Sequence, residues 1–322
     1  MNNFIFSLNA TLPVFLVIFL GGILKRTGLF TEGFTGVLDK YVFRVALPVL
    51  LFSDISTTDI RKIMDWKFVF FCMIATTLMF LLVWIFALIF LKDKSLTGAF
   101  VQASARGSAA ILGIAFVENI YGNAGMAPLM IVAAVPLYNI YSVIALTFYS
   151  DTSQNGTRQD GNNRRAMIRQ VFFNILKNPI ILGIFAGMPF SLLGIVLPDI
   201  LSKTLTSIAQ TATPMALLSV GAAFEVKSAV SRLKPAIAAT LLKLFLLPVL
   251  FLPAAIFFGF TGSKLVAILI MLASPTTVSC YVMAKNMGND AQLTSSVIVA
   301  TTLFSSVTLT LWIFILKSAG LI

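Results

Sequence analysis

Apolar runs of about 20 residues recur along almost the whole of this chain, and that recurrence limits the fold more than any motif does. A helix of that length crosses about 30 Å of hydrocarbon. Of the 322 residues, 58% are hydrophobic and 11% charged, and the mean hydropathy is +0.97. A soluble domain carries about 25% charged residues, so a soluble class is excluded. Closed barrels also span bilayers, but their strands alternate apolar and polar positions over about ten residues, and no such alternation dominates here. The fold class is therefore an all-α integral membrane protein. Ten spans are expected, at 5–24, 34–54, 67–91, 97–120, 125–149, 171–194, 199–222, 234–259, 264–286 and 293–316.

Charge then orients the spans. The excess of 23 Lys and Arg over 12 Asp and Glu gives a net charge of +11. These cations sit mainly in short loops, which is an insertion signal and not a nucleic-acid surface. Placing the N-terminus outside puts fifteen of them inside, among them Lys25, Arg26, Arg164, Arg165, Lys234 and Lys285, against six outside: Arg61, Lys62, Lys67, Lys203, Lys264 and Lys317. Both termini are thus expected outside, with a polar, basic linker at 150–170 in the cytoplasm joining 1–149 to 171–322. The opening stretch MNNFIFSLNATLPVFLVIFL lacks a basic n-region and is expected to be a retained first span. Cys72 and Cys280 lie inside apolar spans and read as buried small hydrophobes. The absence of histidine removes His metal sites, His general bases and His proton relays, so no metal or cofactor is expected.

The two halves repeat one another. Shifting the chain by 166 residues brings Pro13 onto Pro179, Gly28 onto Gly194, Pro48 onto Pro214, Ser108 onto Ser274, and Gly122-Asn123 onto Gly288-Asn289. Each half holds an odd number of spans, so the second must be inverted relative to the first. Inverted repeats are the signature of secondary transporters, whose sites lie near the midplane where discontinuous helices meet. In this register the fourth span pairs with the ninth.

Those two spans are unusual. The fourth carries Arg106, and a charge at that depth is costly, about 2.5–3.5 kcal/mol on insertion scales. Asp54 and Glu118 lie near span ends, which leaves Arg106 without an obvious partner at its own depth. Gly107, Ser108, Ala109, Ala110 and Gly113 allow a second backbone to approach closely. In the ninth span Pro275 cannot donate a backbone hydrogen bond, so the helix is expected to break there. Half-helix N-termini would then aim partial positive charge at a cavity, to which Arg106 adds a full one. The pattern describes an anion site. The plain alternatives are small-residue helix packing and, for Arg106, a structural ion pair. Lys243 in the eighth span snorkels, pairs with a carboxylate or faces the site. Asn139, Ser274, Thr276 and Thr277 are available to line the cavity or to make helix-packing hydrogen bonds.

The Arg106-Gly107 stretch, Pro-Leu-Tyr-Asn at 136–139, Ala-Ser-Pro-Thr-Thr-Val at 273–278 and Gly-Asn-Asp-Ala at 288–291 resemble the auxin efflux carrier family, which includes bacterial malate and malonate permeases and is related to plant PIN proteins. The similarity runs over nearly the whole length. It implies ten transmembrane helices in two inverted five-helix repeats with crossed, discontinuous fourth and ninth helices, an arrangement shared with bile-acid symporters and sodium/proton antiporters. It also implies an elevator in which spans 3–5 and 8–10 move against a scaffold of spans 1–2 and 6–7, in the inner membrane of a bacterial cell. A homodimer joined through the scaffold fits such a design. This chain has Ser108 where many relatives carry Asn, and Ala109 where many carry proline, which implies a glycine-softened crossover.

The expected function is non-enzymatic: secondary transport of a small organic anion, a carboxylate such as malate or malonate. Arg106 would neutralise the carboxylate. Ser108, Ser274, Thr276 and Thr277 would hydrogen-bond it, with Asn139 and Lys243 as further site candidates. Gly107, Ala109, Gly113 and Pro275 would shape the crossover. The alternatives are a sodium-coupled carrier of the bile-acid or antiporter type and a non-transporting membrane sensor on the same fold. A membrane enzyme lacks histidine and lacks paired carboxylates at matching depth.

Overall fold

In a computed structural model the chain is all-helical among the described residues, which are 2–57, 64–150, 172–173, 176–224 and 230–322. The linker expected at 150–170 lies, apart from Ser150, outside them. The α-helices that lie wholly within the described residues follow in order. They are α1 (Asn2–Arg26), α2 (Glu32–Tyr41), α3 (Leu47–Ser56), α4 (Trp66–Phe90), α5 (Thr97–Ala105), α6 (Ala109–Tyr121) and α7 (Ala127–Phe148), then α8 (Pro179–Leu193), α9 (Asp199–Ala223), α10 (Leu233–Leu241), α11 (Leu247–Phe257), α12 (Gly262–Ala273), α13 (Ser279–Asn286) and α14 (Ala291–Ser318). Among the described residues four helical paths are by length and hydropathy able to cross a membrane unaided: α4, α7, α14 and the run Leu233–Phe257 that joins α10 to α11.

Helix starts follow from side-chain caps. Thr31 accepts from the Phe34 N–H, Asp65 from Phe68, Asn178 from Ile180 and Asp290 from Leu293. The Asn178 cap, with Pro179 behind it, sets the start of α8 well inside the span expected at 171–194.

Two paths change pitch without breaking. Val42–Ala46 links α2 to α3 as a π turn, and Leu242–Leu246 links α10 to α11 in the same way. Each π turn is followed two residues later by a proline, Pro48 or Pro248. Proline lacks an N–H and its ring clashes with the carbonyl four residues back, and widening the preceding turn relieves that clash. The Leu47 N–H accordingly bonds the Val42 carbonyl, and the Leu247 N–H bonds Leu242.

Glycine allows helices to touch backbone to backbone. Gly183 and Gly187 of α8 lie against the backbone of Pro48 and Phe52 in α3, and no Cβ would fit at either position without displacing it. Gly21 of α1 meets Leu218 of α9, and Gly221 of α9 meets Ile18 of α1. Small residues spaced in this way are how helices associate when lipid and side chain are equally apolar. These contacts join α3 to α8 and α1 to α9, and α9 also packs on α3, so α1–α3 and α8–α9 form one group. Another group forms around α12, whose residues Leu265–Ala273 are fully buried against α6, α7, α11 and α14.

Candidate functional site

The segments expected as the fourth and ninth spans are each interrupted at mid-length. Between α5 and α6 the chain leaves helical geometry at Arg106 (φ −82°, ψ 123°), and between α12 and α13 at Ser274 (φ −63°, ψ 149°). The two breaks meet. Gly107 and Thr276 pair as a single antiparallel bridge, and the Ser108 N–H donates to the Pro275 carbonyl at 2.8 Å. Gly107 is needed here for space: a Cβ would collide with Ser274 Oγ and crowd Lys243 Nζ.

A break inside a bundle exposes helix-end groups that must find partners away from water. At the end of α5 the Gln102 carbonyl accepts from the Arg106 N–H, the Ala103 carbonyl from Thr276 Oγ1 at 2.7 Å, and the Ala105 carbonyl from Lys243 Nζ at 2.7 Å. At the end of α12 the Met271 carbonyl accepts from the Tyr138 hydroxyl at 2.7 Å. The Thr276 N–H donates to Thr301 Oγ1 of α14 at 3.0 Å.

A cavity of about 500 Å³ opens beside this crossing. Arg106, Gly107, Ser108, Thr277, Val278 and Ser279 form its inner wall. From there it runs between Leu47–Asp54 of α3, Ala212–Ala216 of α9 and Pro128–Tyr138 of α7, out to the exposed Thr57 and Glu118. Arg106 is 5% exposed, with its guanidinium packed on the Met283 sulfur. Lys243 is fully buried. Among the described residues neither cation has a carboxylate partner. The N-terminal ends of α6 and α13 abut the same wall through Ser108 and Val278, and a helix N-terminus carries about half a positive charge. Fixed positive charge at the blind end of a mostly apolar cavity suits a small anion.

The candidates from sequence divide by position. Arg106, Gly107, Ser108 and Thr277 line the cavity. Ser274 and Thr276 lie behind the crossing, Thr276 tied to Ala103 and Ser274 with a buried, unpartnered hydroxyl. Asn139 is buried in α7, where its amide donates to the Val135 carbonyl at 2.9 Å and its carbonyl oxygen has no partner. Lys243 is likewise behind the crossing, on Ala105. Ala109 opens α6, Gly113 packs against Met130, and Pro275 supplies the carbonyl that Ser108 binds. Asp54, Glu118, Tyr138 and Thr213 also line the cavity. Asp54 and Glu118 lie near span ends in the sequence, and a cavity that reaches a span end includes them.

On the other side of the crossing, away from the cavity, lies a compact polar cluster. Asp39 of α2, 2% exposed, accepts from Ser219 of α9 at 2.5 Å and pairs with Lys285 of α13 at 2.6 Å. Lys285 also donates to the Tyr281 hydroxyl at 3.1 Å.

Two broken helices packed end to end within a bundle of apolar helices define a class: multi-pass membrane proteins with a polar crossing. Comparison with known sequences gives the family. The chain belongs to the membrane transport protein family, whose profile matches residues 6–313. It is 25% identical to an "Uncharacterized transporter" of Methanothermobacter thermautotrophicus over 97% of this chain and 99% of that protein. It is 27% identical to a "Putative malonate transporter" of Rhizobium meliloti over 96% of each. A lower-coverage match, 25% identical over 56% of this chain and 21% of that protein, is to the mouse "Lysosomal cholesterol signaling protein".

Proposed function

We propose that this chain is a secondary carrier for a small organic anion, a mono- or dicarboxylate such as malonate or malate. The observation that carries the reading is Arg106, buried at the inner wall of the cavity with no described carboxylate beside it. A substrate carboxylate supplies the missing partner, and an arginine fork binds it through two parallel hydrogen bonds. The hydroxyls of Ser108 and Thr277 line the same wall and complete the polar shell. The relative described as a malonate transporter supports the substrate class.

The ten paths form two inverted repeats in this reading. Its support is that Gly28 and Gly194, and again Gly122 and Gly288, share positive φ at the 166-residue offset, and that the break that starts at Arg106 and the break that starts at Ser274 lie within two residues of that same offset. The glycine-knit α1–α3 and α8–α9 serve as scaffold, and the crossing helices with α4, α7, α10, α11 and α14 carry the substrate. Both termini face out, the cavity faces out, and the Asp39–Lys285 cluster closes the cytoplasmic side. Transport consists of exchanging these two closures.

The test is counterflow into proteoliposomes loaded with unlabelled substrate, using labelled malonate, malate, pyruvate and an indole acid. Accumulation of at least one carboxylate is expected. Failure of all four, with the protein monodisperse and correctly inserted, rejects the reading.

A further inference from the structure

Of Arg106 and Lys243, both buried, Arg106 alone is among the described residues that line the cavity. Lys243 projects from the π turn at Leu242–Leu246 to the far side of the crossing, where it caps the Ala105 carbonyl at the end of α5. The position is electrostatically specific. A helix C-terminus carries about half a negative charge, and in carriers with discontinuous helices such ends and the unwound carbonyls beside them coordinate the coupling sodium ion or proton. The other half-helix end is treated differently. Met271, third from the end of α12 as Ala103 is from the end of α5, receives the neutral Tyr138 hydroxyl as Ala103 receives that of Thr276, and among the described residues no cation caps the end of α12 as Lys243 caps Ala105. So one half-helix end holds a full charge and its counterpart does not. Lys243 has no described carboxylate to account for its burial, and its ammonium crowds Gly107 on the side where the Ser274 hydroxyl lies unpartnered.

We propose that Lys243 is a tethered cation: its ammonium occupies the place on the α5 carbonyls that a soluble cation would otherwise fill, and so makes transport independent of sodium. This rests on the crossing being the substrate site. Lys243 is a positioning residue in this scheme. It does not touch the anion but holds the end of α5, and hence Arg106, in place. Because it is covalently attached, it travels with the crossing whichever way the site faces, and no cation gradient is drawn on.

The experiment uses purified full-length protein. In proteoliposomes, labelled malonate counterflow by the wild type should agree within about twofold in sodium, potassium and choline media of equal ionic strength. Lys243→Ala should lose about tenfold or more in choline, and should recover when sodium or methylammonium is supplied to fill the vacated space. Thermal unfolding in detergent gives a readout that needs no substrate. Sodium should leave the wild-type midpoint where choline leaves it, and should raise that of Lys243→Ala. Three results overturn the proposal: a wild type stabilised or activated specifically by sodium, a Lys243→Ala protein fully active in choline, or a loss that neither cation repairs, which would make the lysine a plain structural cap. If Lys243→Ala does not fold, the wild-type arms decide alone. If the wild type carries no malonate, the substrate reading fails while the unfolding arm still judges the cation.

Discussion

Lys285 Nζ lies 2.6 Å from the buried carboxylate of Asp39, so a single ion pair ties the second half of the segment expected as the ninth span to α2 on the side away from the cavity. Ser219 adds a third element, α9, to the same carboxylate. If this cluster holds the cavity-open state, Asp39→Asn should depopulate that state. The pair is only partly shielded, Lys285 being 38% exposed, so a shift of about 1.4 kcal/mol, or about tenfold in population, is a reasonable scale. The reporter is a cysteine at Ser108, on the cavity wall, against a background in which Cys72 and Cys280 are buried. Its labelling by an impermeant maleimide should slow severalfold in Asp39→Asn and recover when the charges are exchanged (Asp39→Lys with Lys285→Asp). An unchanged labelling rate would show that the cluster does not bias access.

Arg106 is tested by a change that keeps its charge. Arg106→Lys retains one cation but loses the planar fork, and a hydrogen bond to a charged group contributes about 1.5–3 kcal/mol. Apparent affinity for the transported carboxylate should therefore weaken by roughly tenfold to a hundredfold, and Arg106→Gln should weaken it further. Concentration dependence of initial uptake in vesicles measures both. Wild-type affinity in Arg106→Lys would remove the arginine from the site.

Much of this arrangement was legible in residues that break rules. Pro275 and the run around Gly107 announce where two helices cannot continue, because one lacks a donor and the other lacks side chains, and the breaks fall there. Arg106 was visible because charge at that depth needs a partner. Depth alone does not say which side of a crossing a side chain takes, so Lys243, Ser274 and Thr276 could not be told apart from Ser108 and Thr277. Facing depends on the rotation of α10–α14 about their axes, and that is set by packing against α5 and α7, which no one-dimensional pattern records. The π turns were hidden for a related reason. Pro48 and Pro248 permit either a kink or a widened turn, and the neighbours decide.

Acid should loosen one tie at the cavity-side ends of the helices. Asp65 caps α4 and pairs with Lys264 of α12 at 2.5 Å. The hydrogen bond from Lys264, aided by the Phe68 N–H, holds its carboxyl below the usual carboxylate range. A carboxyl lowered in the folded state contributes stability that is complete above the unfolded pKa of about 3.9 and is lost as pH falls through the folded value. The melting-temperature gap between wild type and Asp65→Asn should hence be constant at neutral pH, close in strong acid and shrink in high salt. A gap that survives acid would mean that the carboxylate charge contributes nothing.

Thr276 and Thr277 are neighbours with opposite assignments, which makes them a matched pair. Thr276 Oγ1 satisfies the buried Ala103 carbonyl at 2.7 Å, whereas Thr277 lines the cavity and its hydroxyl lies 3.3 Å from Ser279. Valine keeps the shape of threonine and removes the hydroxyl. Thr276→Val leaves an orphan carbonyl away from water, at a cost of about 1–3 kcal/mol, so it should lower the melting temperature with or without substrate. Thr277→Val removes a hydroxyl from the cavity wall, so under the proposed function it should leave the melting temperature of the free protein unchanged and weaken apparent affinity instead. Thermal unfolding and uptake kinetics on both variants separate the two roles. The reverse pattern, with Thr277→Val unstable and Thr276→Val impaired only in affinity, would mean that the cavity wall runs on the other side of the crossing.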